Sequence, residues 1–271
     1  MIVRVATADD PRLAPYRILR DNQIARDTDG FIVEGAIALE RLIETGRFPL
    51  VSLFLSETAA ERIASLLDRI DPSVPIHVVT QATMDKVTGF HIHRGVLALA
   101  RRQAMLSAAD LLAQHAGAPL TVLVVIGLSN HDNVGACFRN AAALGADVVL
   151  LDASSCDPLY RKAIRVSSGA ALSLPFAHGG TGEELIALLA SNNIECWALT
   201  PFGGAVLAKT TPPSRLAIIL GAEGPGLPEA LMQRCRRISI PMAAGMDSLN
   251  VATAGAIALA HLASQRVTSR A

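Results

Sequence analysis

Apolar runs that alternate with helix-like segments constrain this chain more than any other feature. The run from Thr121 to Ile126 is continuous and rich in β-branched residues, as expected for a parallel strand buried on both faces. From this run onward, strand-like and helix-like segments follow each other in turn. We therefore predict an α/β domain built on a mostly parallel sheet, in which ligands bind beyond the carboxyl ends of the strands.

The segments of this domain can be placed from their periodicity and their Gly and Pro residues. The predicted strands are 121–126, 148–151, 171–174, 196–199, 216–220 and 238–242. The predicted helices are 133–144, 159–167, 183–191, 228–234 and 251–262.

A shorter alternation of strands and helices precedes this domain. Its predicted strands are 31–33, 50–55, 76–79 and 96–100, and its predicted helices are 36–45 and 59–70, with a short helix near 16–19. The segment 105–118 reads as a helix and a turn that join two domains. We therefore place a first domain at residues 1–104, a linker at 105–118 and a second domain at 119–271.

Composition excludes several classes of protein. Hydrophobic residues make up 51% of the 271 positions, which suffices for a buried core, and the net charge of zero leaves any nucleic-acid binding to local patches. No apolar run approaches the roughly 20 residues of a membrane span, and no signal-peptide pattern begins the chain. We expect a cytoplasmic protein, or an organellar one if a transit segment has been removed.

The four cysteines stand far apart and form no Cys-x-x-Cys motif. This spacing argues against a disulfide scaffold and against a zinc ribbon, and we expect each cysteine to be a small hydrophobic residue of the core. They are Cys137, Cys156, Cys196 and Cys235.

A polar tripeptide, Ser248-Leu-Asn250, separates the predicted strand at 238–242 from the last helix. Serine and asparagine are good helix N-caps, and the unpaired amides of a helix N-terminus favour negative charge. This corner could therefore hold a carboxylate or an oxyanion. On its own, however, the segment is also explained by a capped helix.

The segment from Asn130 to Arg139 directly follows the buried strand at 121–126. Asn133 and Gly135 fall at the predicted start of a helix, and Arg139 follows among apolar residues. A buried guanidinium needs a partner. We expect an anion, a subunit interface or a nearby carboxylate beside Arg139.

A glycine-rich turn, Gly221 to Gly226, follows the predicted strand at 216–220. Its spacing does not fit a dinucleotide fingerprint, and the sequence contains no P-loop. Glycines after a buried strand indicate that the backbone approaches something closely, although a simple turn would also use them. Glu223 is the one acid in the turn and a candidate hydrogen-bond acceptor.

Together, these three loops resemble the SpoU (TrmH-type) family of RNA 2′-O-ribose methyltransferases, of the SPOUT class. The similarity covers about residues 119 to 266, and order, spacing and strand context all agree. The matching motifs are Asn133-Val-Gly with Arg139, Gly221-Ala-Glu223-Gly-Pro-Gly226, and Ile240-Pro-Met242 with Ser248-Leu-Asn250. The first domain is similar to the ribosomal-protein-like RNA-binding module of many members at Phe31-Ile-Val-Glu-Gly35 and His93-Arg-Gly-Val-Leu-Ala98.

The resemblance implies a parallel-sheet catalytic domain with a deep C-terminal trefoil knot, preceded by a small N-terminal α/β domain that binds substrate. It also implies a homodimer, RNA as the partner, S-adenosylmethionine as the cofactor, and no metal. The residues expected to bind the cofactor are Thr200, Gly221, Ile240, Met242 and Leu249. The polar residues expected to serve catalysis are Asn133, Arg139, Glu223, Ser248 and Asn250.

Arg139 is sometimes given the role of the base in this family. A guanidinium, however, has a pKa above about 12 and so does not readily give up its proton. We instead expect Arg139 to hold the ribose-phosphate and the developing oxyanion, with a phosphate oxygen, Glu223 or water accepting the proton. Asn140 departs from the Thr or Ser that many members carry, and Arg94 from a frequent Gln.

Several alternatives stay open at this point. The additional N-terminal domain favours ribosomal RNA over transfer RNA as substrate, by analogy. A non-catalytic RNA-binding relative and a methyltransferase that acts on a base are the other two hypotheses. The pair His91-x-His93 is the one arrangement that hints at metal, and Arg161, Lys162 and Arg165 could meet phosphates or solvent.

Overall fold

The computed structural model describes residues 2–17 and 29–268, with side chains up to residue 265. The chain divides into two compact units, of which the first comprises Met1–Ala104 and Leu159–Ser173. The second comprises Met105–Pro158 and Leu174–Ala271. The end of the predicted helix near 16–19 lies outside the described residues.

The strands and helices are numbered in chain order. The strands are β1 Ile2–Arg4, β2 Gly30–Glu34, β3 Leu50–Ser56, β4 Ile76–Val79, β5 Val96–Arg101, β6 Leu120–Val125, β7 Val148–Leu151, β8 Phe176–His178, β9 Glu195–Thr200, β10 Ala205–Val206, β11 Arg215–Leu220 and β12 Arg236–Ser239. The helices are α1 Ala14–Arg17, α2 Ala36–Thr45, α3 Glu57–Arg62, α4 Ala64–Leu67, α5 Gln81–Thr88, α6 Ala108–Ala113, α7 His131–Ala143, α8 Arg161–Val166, α9 Ala170–Ser173, α10 Gly182–Ser191, α11 Glu229–Met232 and α12 Val251–Thr268. Short 3-10 turns occupy Pro11–Leu13 and Leu207–Lys209.

The first unit is built on a mixed five-stranded sheet in the order β1-β4-β3-β5-β2. Strands β1, β4 and β3 run parallel, and β5 is antiparallel to both β3 and β2. Helix α2 spans the residues predicted for it and ends at Gly46, whose φ of 57° is left-handed. The predicted helix at 59–70 is two short helices, α3 and α4, which are separated at Ile63.

The second unit is built on a seven-stranded sheet in the order β10-β12-β9-β11-β6-β7-β8. Every paired strand in it is parallel, and all six residues of β6 are buried. The predicted parallel sheet is therefore confirmed. Because β12, β9 and β11 are neighbours, the loops that follow them emerge side by side at one edge of the sheet.

One predicted strand is wrong. Residues 171–174 lie in and after helix α9, and the strand that follows is β8 at Phe176–His178. An apolar run of four residues has no periodicity that separates strand from helix, and Ala and Leu are strong helix formers. The Ser167 hydroxyl also accepts a hydrogen bond from the Ala171 amide at 3.3 Å, and Pro175 prevents the helix from continuing.

One arginine binds the turn that ends the segment predicted as a linker, whose Leu111 and Leu112 are buried in the core of the second unit. The Arg215 guanidinium at the start of β11 donates to the carbonyl oxygens of His115 at 2.6 Å and Ala118 at 2.5 Å. It also donates to the carbonyl oxygen of Asn192 at 3.4 Å. These bonds satisfy carbonyls of two separate turns with one charged donor.

A buried histidine gives the first unit an expected pH dependence. His77 is 4% exposed, its Nδ1 has no hydrogen-bond partner, and burial lowers the pKa of its imidazole, with smaller effects from Arg12 and Asp10. Below about pH 6.5 the unfolded chain binds a proton that the folded chain resists, so the free energy of unfolding should fall as the pH drops through that value. Urea unfolding of wild type and His77→Gln between pH 5 and 8 measures the difference.

The control for this prediction is His93→Gln, because His93 is an exposed histidine of the same unit. We expect it to leave the pH dependence unchanged, whereas His77→Gln should flatten it. Equal pH profiles for wild type and His77→Gln would contradict the assignment.

Candidate active site

A cavity of about 480 Å³ lies where β9, β11 and β12 end. Such an edge of a parallel sheet is where α/β domains bind ligands. All five residues predicted to bind the cofactor line this cavity, namely Thr200, Gly221, Ile240, Met242 and Leu249. Their role toward a cofactor stays a prediction, but the fold brings them to one place from three separate loops.

The turn after β11 forms one wall of the cavity. A Cβ atom on Gly221 would lie 2.5 Å from both the carbonyl carbon of Gly226 and the amide nitrogen of Leu227. The two ends of the turn are therefore packed too closely for any side chain at position 221. The Gly226 amide donates to the Ala222 carbonyl oxygen at 3.0 Å, and Gly226 has a left-handed φ of 70°.

The loop after β12 forms a second wall. Strand β12 ends at Ser239, three residues before the predicted end at Met242, so Ile240 and Met242 belong to the loop. The loop leads to α12, whose N-cap is Asn250. The Asn250 side-chain oxygen accepts from the amides of Ala252 at 2.9 Å and Thr253 at 3.2 Å. Ser248, the other predicted cap type, is exposed and lines the cavity.

Two side-chain hydrogen bonds join helix α7 to the start of α12. The Asn250 side-chain amide donates to the Asn133 side-chain oxygen at 2.9 Å, and Asn133 is 8% exposed. About two turns further along, the Asn140 side-chain amide donates to the Ala252 carbonyl oxygen at 3.0 Å. Asn140 therefore links α7 to α12, at the position where many family members carry Thr or Ser.

Helix α7 itself begins earlier than predicted. Its N-cap is Asn130, whose side-chain oxygen accepts from the Asp132 amide at 2.9 Å, so the helix starts at His131 and Asn133 lies in its first turn. The local signal was present, because asparagine is a strong N-cap, but Asn133 is an equally good candidate for that role.

Arg139 is exposed, although the residues beside it in sequence are mostly apolar. Cys137, Phe138 and Ala141 are buried on other sides of α7. Apolar neighbours in the sequence of a helix therefore need not surround a residue in space. Among the residues that the structure describes, no carboxylate pairs with Arg139 and it does not line the cavity. Its guanidinium is therefore available to an external anion.

The predicted catalytic residues thus fall into three groups. Glu223, Ser248 and Asn250 line the cavity directly. Asn133 reaches the cavity through its hydrogen bond to Asn250, and Arg139 lies apart on the exposed side of α7. Sequence reasoning missed several apolar lining residues that continue the same strands and loops, namely Leu199, Pro201, Leu227, Met232, Val251 and Ala254.

We expect Asn250→Ala to weaken both the helix and the site. The substitution removes the cap of α12 and leaves the buried Asn133 oxygen without its donor, which together should lower the free energy of unfolding by about 1–3 kcal/mol. Asn250→Asp is the matched comparison, because a carboxylate still caps the helix but cannot donate to Asn133. Chemical denaturation should rank the stabilities wild type, Asn250→Asp, Asn250→Ala. Equal stability of all three proteins would contradict the double role of Asn250.

Comparison with known sequences shows the family to which this chain belongs. Residues 120–260 match the sequence model of the SpoU rRNA methylase family. The chain is also 39% identical over 266 residues to an uncharacterized tRNA/rRNA methyltransferase of Mycobacterium bovis, a match that covers 94% of this chain and 89% of the relative. The chain belongs to the SpoU methylase family. The predicted family and the class of RNA methyltransferase are thereby confirmed.

A further SpoU relative, an uncharacterized tRNA/rRNA methyltransferase of Mycobacterium avium, is 30% identical over 223 residues, covering 80% of this chain and 72% of the relative. A crystal structure described as an RNA 2′-O ribose methyltransferase matches with 25% identity and a TM-score of 0.79, and covers 98% of this chain and 100% of its own. An AdoMet-bound rRNA methyltransferase from Sinorhizobium meliloti matches with 21% identity and a TM-score of 0.81, covering 98% of both chains. These structures have the same α/β fold.

The remaining sequence candidates have structural partners in the first unit. His91 Nδ1 lies 2.8 Å from the Asp85 carboxylate, and the rings of His91 and His93 pack edge to face. Glu34 accepts from Arg161 at 2.5 Å and from Arg165 at 3.5 Å. Across residues 2–17 and 29–268 we find no cluster of three His, Cys, Asp or Glu that could hold a metal, and no helix long and apolar enough to cross a membrane.

Proposed function

We propose that this SpoU methylase transfers a methyl group from S-adenosylmethionine to a ribose 2′-hydroxyl of structured RNA. Ribosomal RNA is the favoured substrate. The observation that carries the proposal is the cavity at the ends of β9, β11 and β12, which carries Glu223, Ser248 and Asn250 on its wall. Polar side chains beside a mostly apolar slot are typical of a site that binds a cofactor and reacts at its edge.

The family uses S-adenosylmethionine, so the predicted cofactor is confirmed at that level. The residues of this chain fit it. A volume of about 480 Å³ lies within the usual range of cofactor sites, and Ile240, Met242 and Leu249 provide apolar walls. The turn from Gly221 to Gly226 contributes its glycines and Glu223 to the wall. When bound, the cofactor supplies an electrophilic methyl group on a sulfonium.

The polar residues of the chain would then activate the ribose. A hydroxyl is a poor nucleophile until its proton is being lost, so positioning and stabilisation of the developing oxyanion supply much of the rate. The hydrogen bond from Asn250 to Asn133 fixes the edge of the cavity where the hydroxyl would lie. Glu223 is exposed on the cavity wall, which makes it a candidate proton acceptor beside a phosphate oxygen or water.

Arg139 would serve the RNA rather than the cofactor. Arg139 is exposed, and a planar guanidinium binds phosphate through two parallel hydrogen bonds. We therefore assign it the role of clamping the ribose-phosphate and the developing negative charge.

We also propose that the protein is a homodimer with a trefoil knot in its C-terminal part. The dimer is supported by exposed apolar side chains of the second unit, among them Phe202 at 65%, Met246 at 56% and Ile257 at 38%. The partly or fully exposed residues of α12 include Ala254, Ala256, Ala260 and Ala263, whose small side chains allow close helix packing. The knot is supported by the sheet order, in which β9 lies between β11 and β12, so the chain crosses β9 on its way from β11 to β12. Light scattering coupled to size exclusion tests the dimer.

The choice of substrate rests on analogy. A first unit in addition to the methylase unit favours ribosomal RNA, and transfer RNA is the second candidate. A ribose must be presented free of its helix, so a loop or single-stranded segment is expected. The proposal also places the protein in the cytoplasm, where these RNAs lie.

Incubation of the purified protein with radiolabelled S-adenosylmethionine and undermethylated ribosomal RNA or transfer RNA tests the proposal. We expect label in RNA, in a dinucleotide that resists alkaline hydrolysis because its 2′-oxygen is blocked. Label in an alkali-labile nucleotide would mean transfer to a base. Calorimetry separates the remaining alternative, since a non-catalytic relative need not bind the cofactor.

A further inference from the structure

Cys196 lies in β9, and Cys235 directly precedes β12, the strand that pairs with β9, although 38 residues separate the two cysteines in sequence. Strands β9 and β12 run parallel, with Trp197 paired to Arg236. Cys196 and Cys235 each stand one residue before that pair, so they lie side by side and their side chains point to the same face of the sheet. Both pack on the same apolar cluster beneath the sheet.

The spacing of adjacent strands suits a covalent bond between these residues. Paired residues of neighbouring strands have Cα atoms about 5 Å apart, which lies within the range that disulfides span. The thiols of Cys196 and Cys235 are both free and interact electrostatically, and the Cys196 thiol also donates to the carbonyl oxygen of Ile194 at 3.9 Å.

The two thiols differ in reactivity. Contact with Cys196 lowers the pKa of Cys235, to which the neighbouring Arg234 charge adds, and Cys235 is partly exposed. The contact with Cys235 and burial raise the pKa of Cys196, which is 7% exposed. Cys235 is thus the partly exposed thiol with the lowered pKa and Cys196 the buried thiol with the raised pKa, the arrangement of an attacking and a resolving cysteine.

The other two cysteines have no such environment. Burial raises the pKa of Cys137 to about 12, and burial with the Asp157 charge raises that of Cys156 to about 11. Cys156 is partly exposed, as Cys235 is, and so provides a matched comparison.

We propose that Cys196 and Cys235 form a redox modification site that closes to a disulfide under peroxide. The Cys235 thiolate attacks one peroxide oxygen and the O–O bond breaks. The leaving hydroxide takes up the proton that the Cys235 thiol released, so a sulfenic acid and one water result. The Cys196 sulfur then attacks the Cys235 sulfur and displaces the hydroxyl, which leaves as a second water with the Cys196 proton. Two thiols thus lose two electrons and two protons to one hydrogen peroxide, and a thiol reductant reverses the step.

The bond would join the two strands whose carboxyl ends bound the candidate active site. The same pairing that sets Cys196 against Cys235 continues to Thr200 against Ser239, beside the cavity. A disulfide would therefore tie the register of β9 and β12 upstream of the cofactor loops. This inference rests on the two strands alone and holds whether or not the proposed methyl transfer is correct.

Treatment of the full chain with a small excess of hydrogen peroxide, followed by blocking of thiols and a peptide map without reductant, tests the proposal. We expect an intact mass lower by two hydrogens and a linked peptide pair that contains Cys196 and Cys235, both reversed by dithiothreitol. Cys156→Ser should give the same linked pair. Cys196→Ser should give singly oxidised Cys235 and no link.

Two outcomes would overturn the proposal. One is wild-type protein in which Cys235 proceeds to sulfinic acid without forming the link. The other is protein in which Cys156 is oxidised at the same rate as Cys235. The wild-type peptide map decides both, so the proposal does not depend on the folding of any variant.

Discussion

Gly221→Ala is expected to lower the affinity for S-adenosylmethionine by roughly tenfold to a hundredfold. The added methyl group would lie 2.5 Å from two backbone atoms, at Gly226 and Leu227, and neither can move without opening the turn. The turn forms a wall of the cavity, so opening it changes the surface that the cofactor contacts. Isothermal titration calorimetry measures the affinity, and circular dichroism shows whether the fold is retained.

The matched control is Gly224→Ala in the same turn. No atom lies within 4 Å of a Cβ there, although the left-handed φ of 82° costs an alanine about 1 kcal/mol. We therefore expect a clearly smaller loss of affinity for Gly224→Ala than for Gly221→Ala. Wild-type affinity in Gly221→Ala would mean that the cofactor does not use this wall.

Arg139→Ala is expected to reduce methyl transfer by roughly a hundredfold or more, because a charged donor to the developing oxyanion is lost. The same substitution should leave both stability and cofactor affinity nearly unchanged. Arg139 is exposed, has no carboxylate partner among the described residues and does not line the cavity. Single-turnover transfer to RNA, calorimetry with S-adenosylmethionine and thermal unfolding provide the three readouts.

Arg139→Lys separates a clamp from a simple positive charge. Lysine keeps the charge but lacks the planar fork, so we expect it to recover only part of the lost rate. Arg236→Ala is the control for net charge, because it removes an arginine that pairs with Glu195 outside the proposed site. A lysine enzyme with near wild-type turnover would contradict the clamp.

The sequence sufficed for the architecture of the second unit because a parallel sheet leaves a strong signal. Strands buried on both faces are continuous apolar runs, and β7 was placed correctly at both ends. The loops of the candidate site could also be located, because Gly221 and the Ser248-Leu-Asn250 corner follow directly on strands or precede a helix. The resemblance to the SpoU family added the chemistry, which periodicity could not have supplied.

The features that could not be predicted from the sequence depend on contacts between distant segments. Four-residue runs such as α9 carry no periodicity, and so one was taken for a strand. The exposure of Arg139 depends on which side of α7 faces the core, and the apolar residues next to it in sequence do not reveal that side. Two hydrogen bonds of the site join residues that lie more than a hundred positions apart in sequence. They are the bond from Asn140 to Ala252 and the bond from Asn250 to Asn133.

The most direct test of the central claim is a map of 2′-O-methyl positions in total RNA from cells with and without this gene. We predict that one or a few ribose methylations, most favourably in ribosomal RNA, disappear without the gene and return with the wild-type copy but not with Arg139→Ala. An unchanged set of 2′-O-methyl positions, or the loss of a base methylation instead, would contradict the proposed ribose methylation.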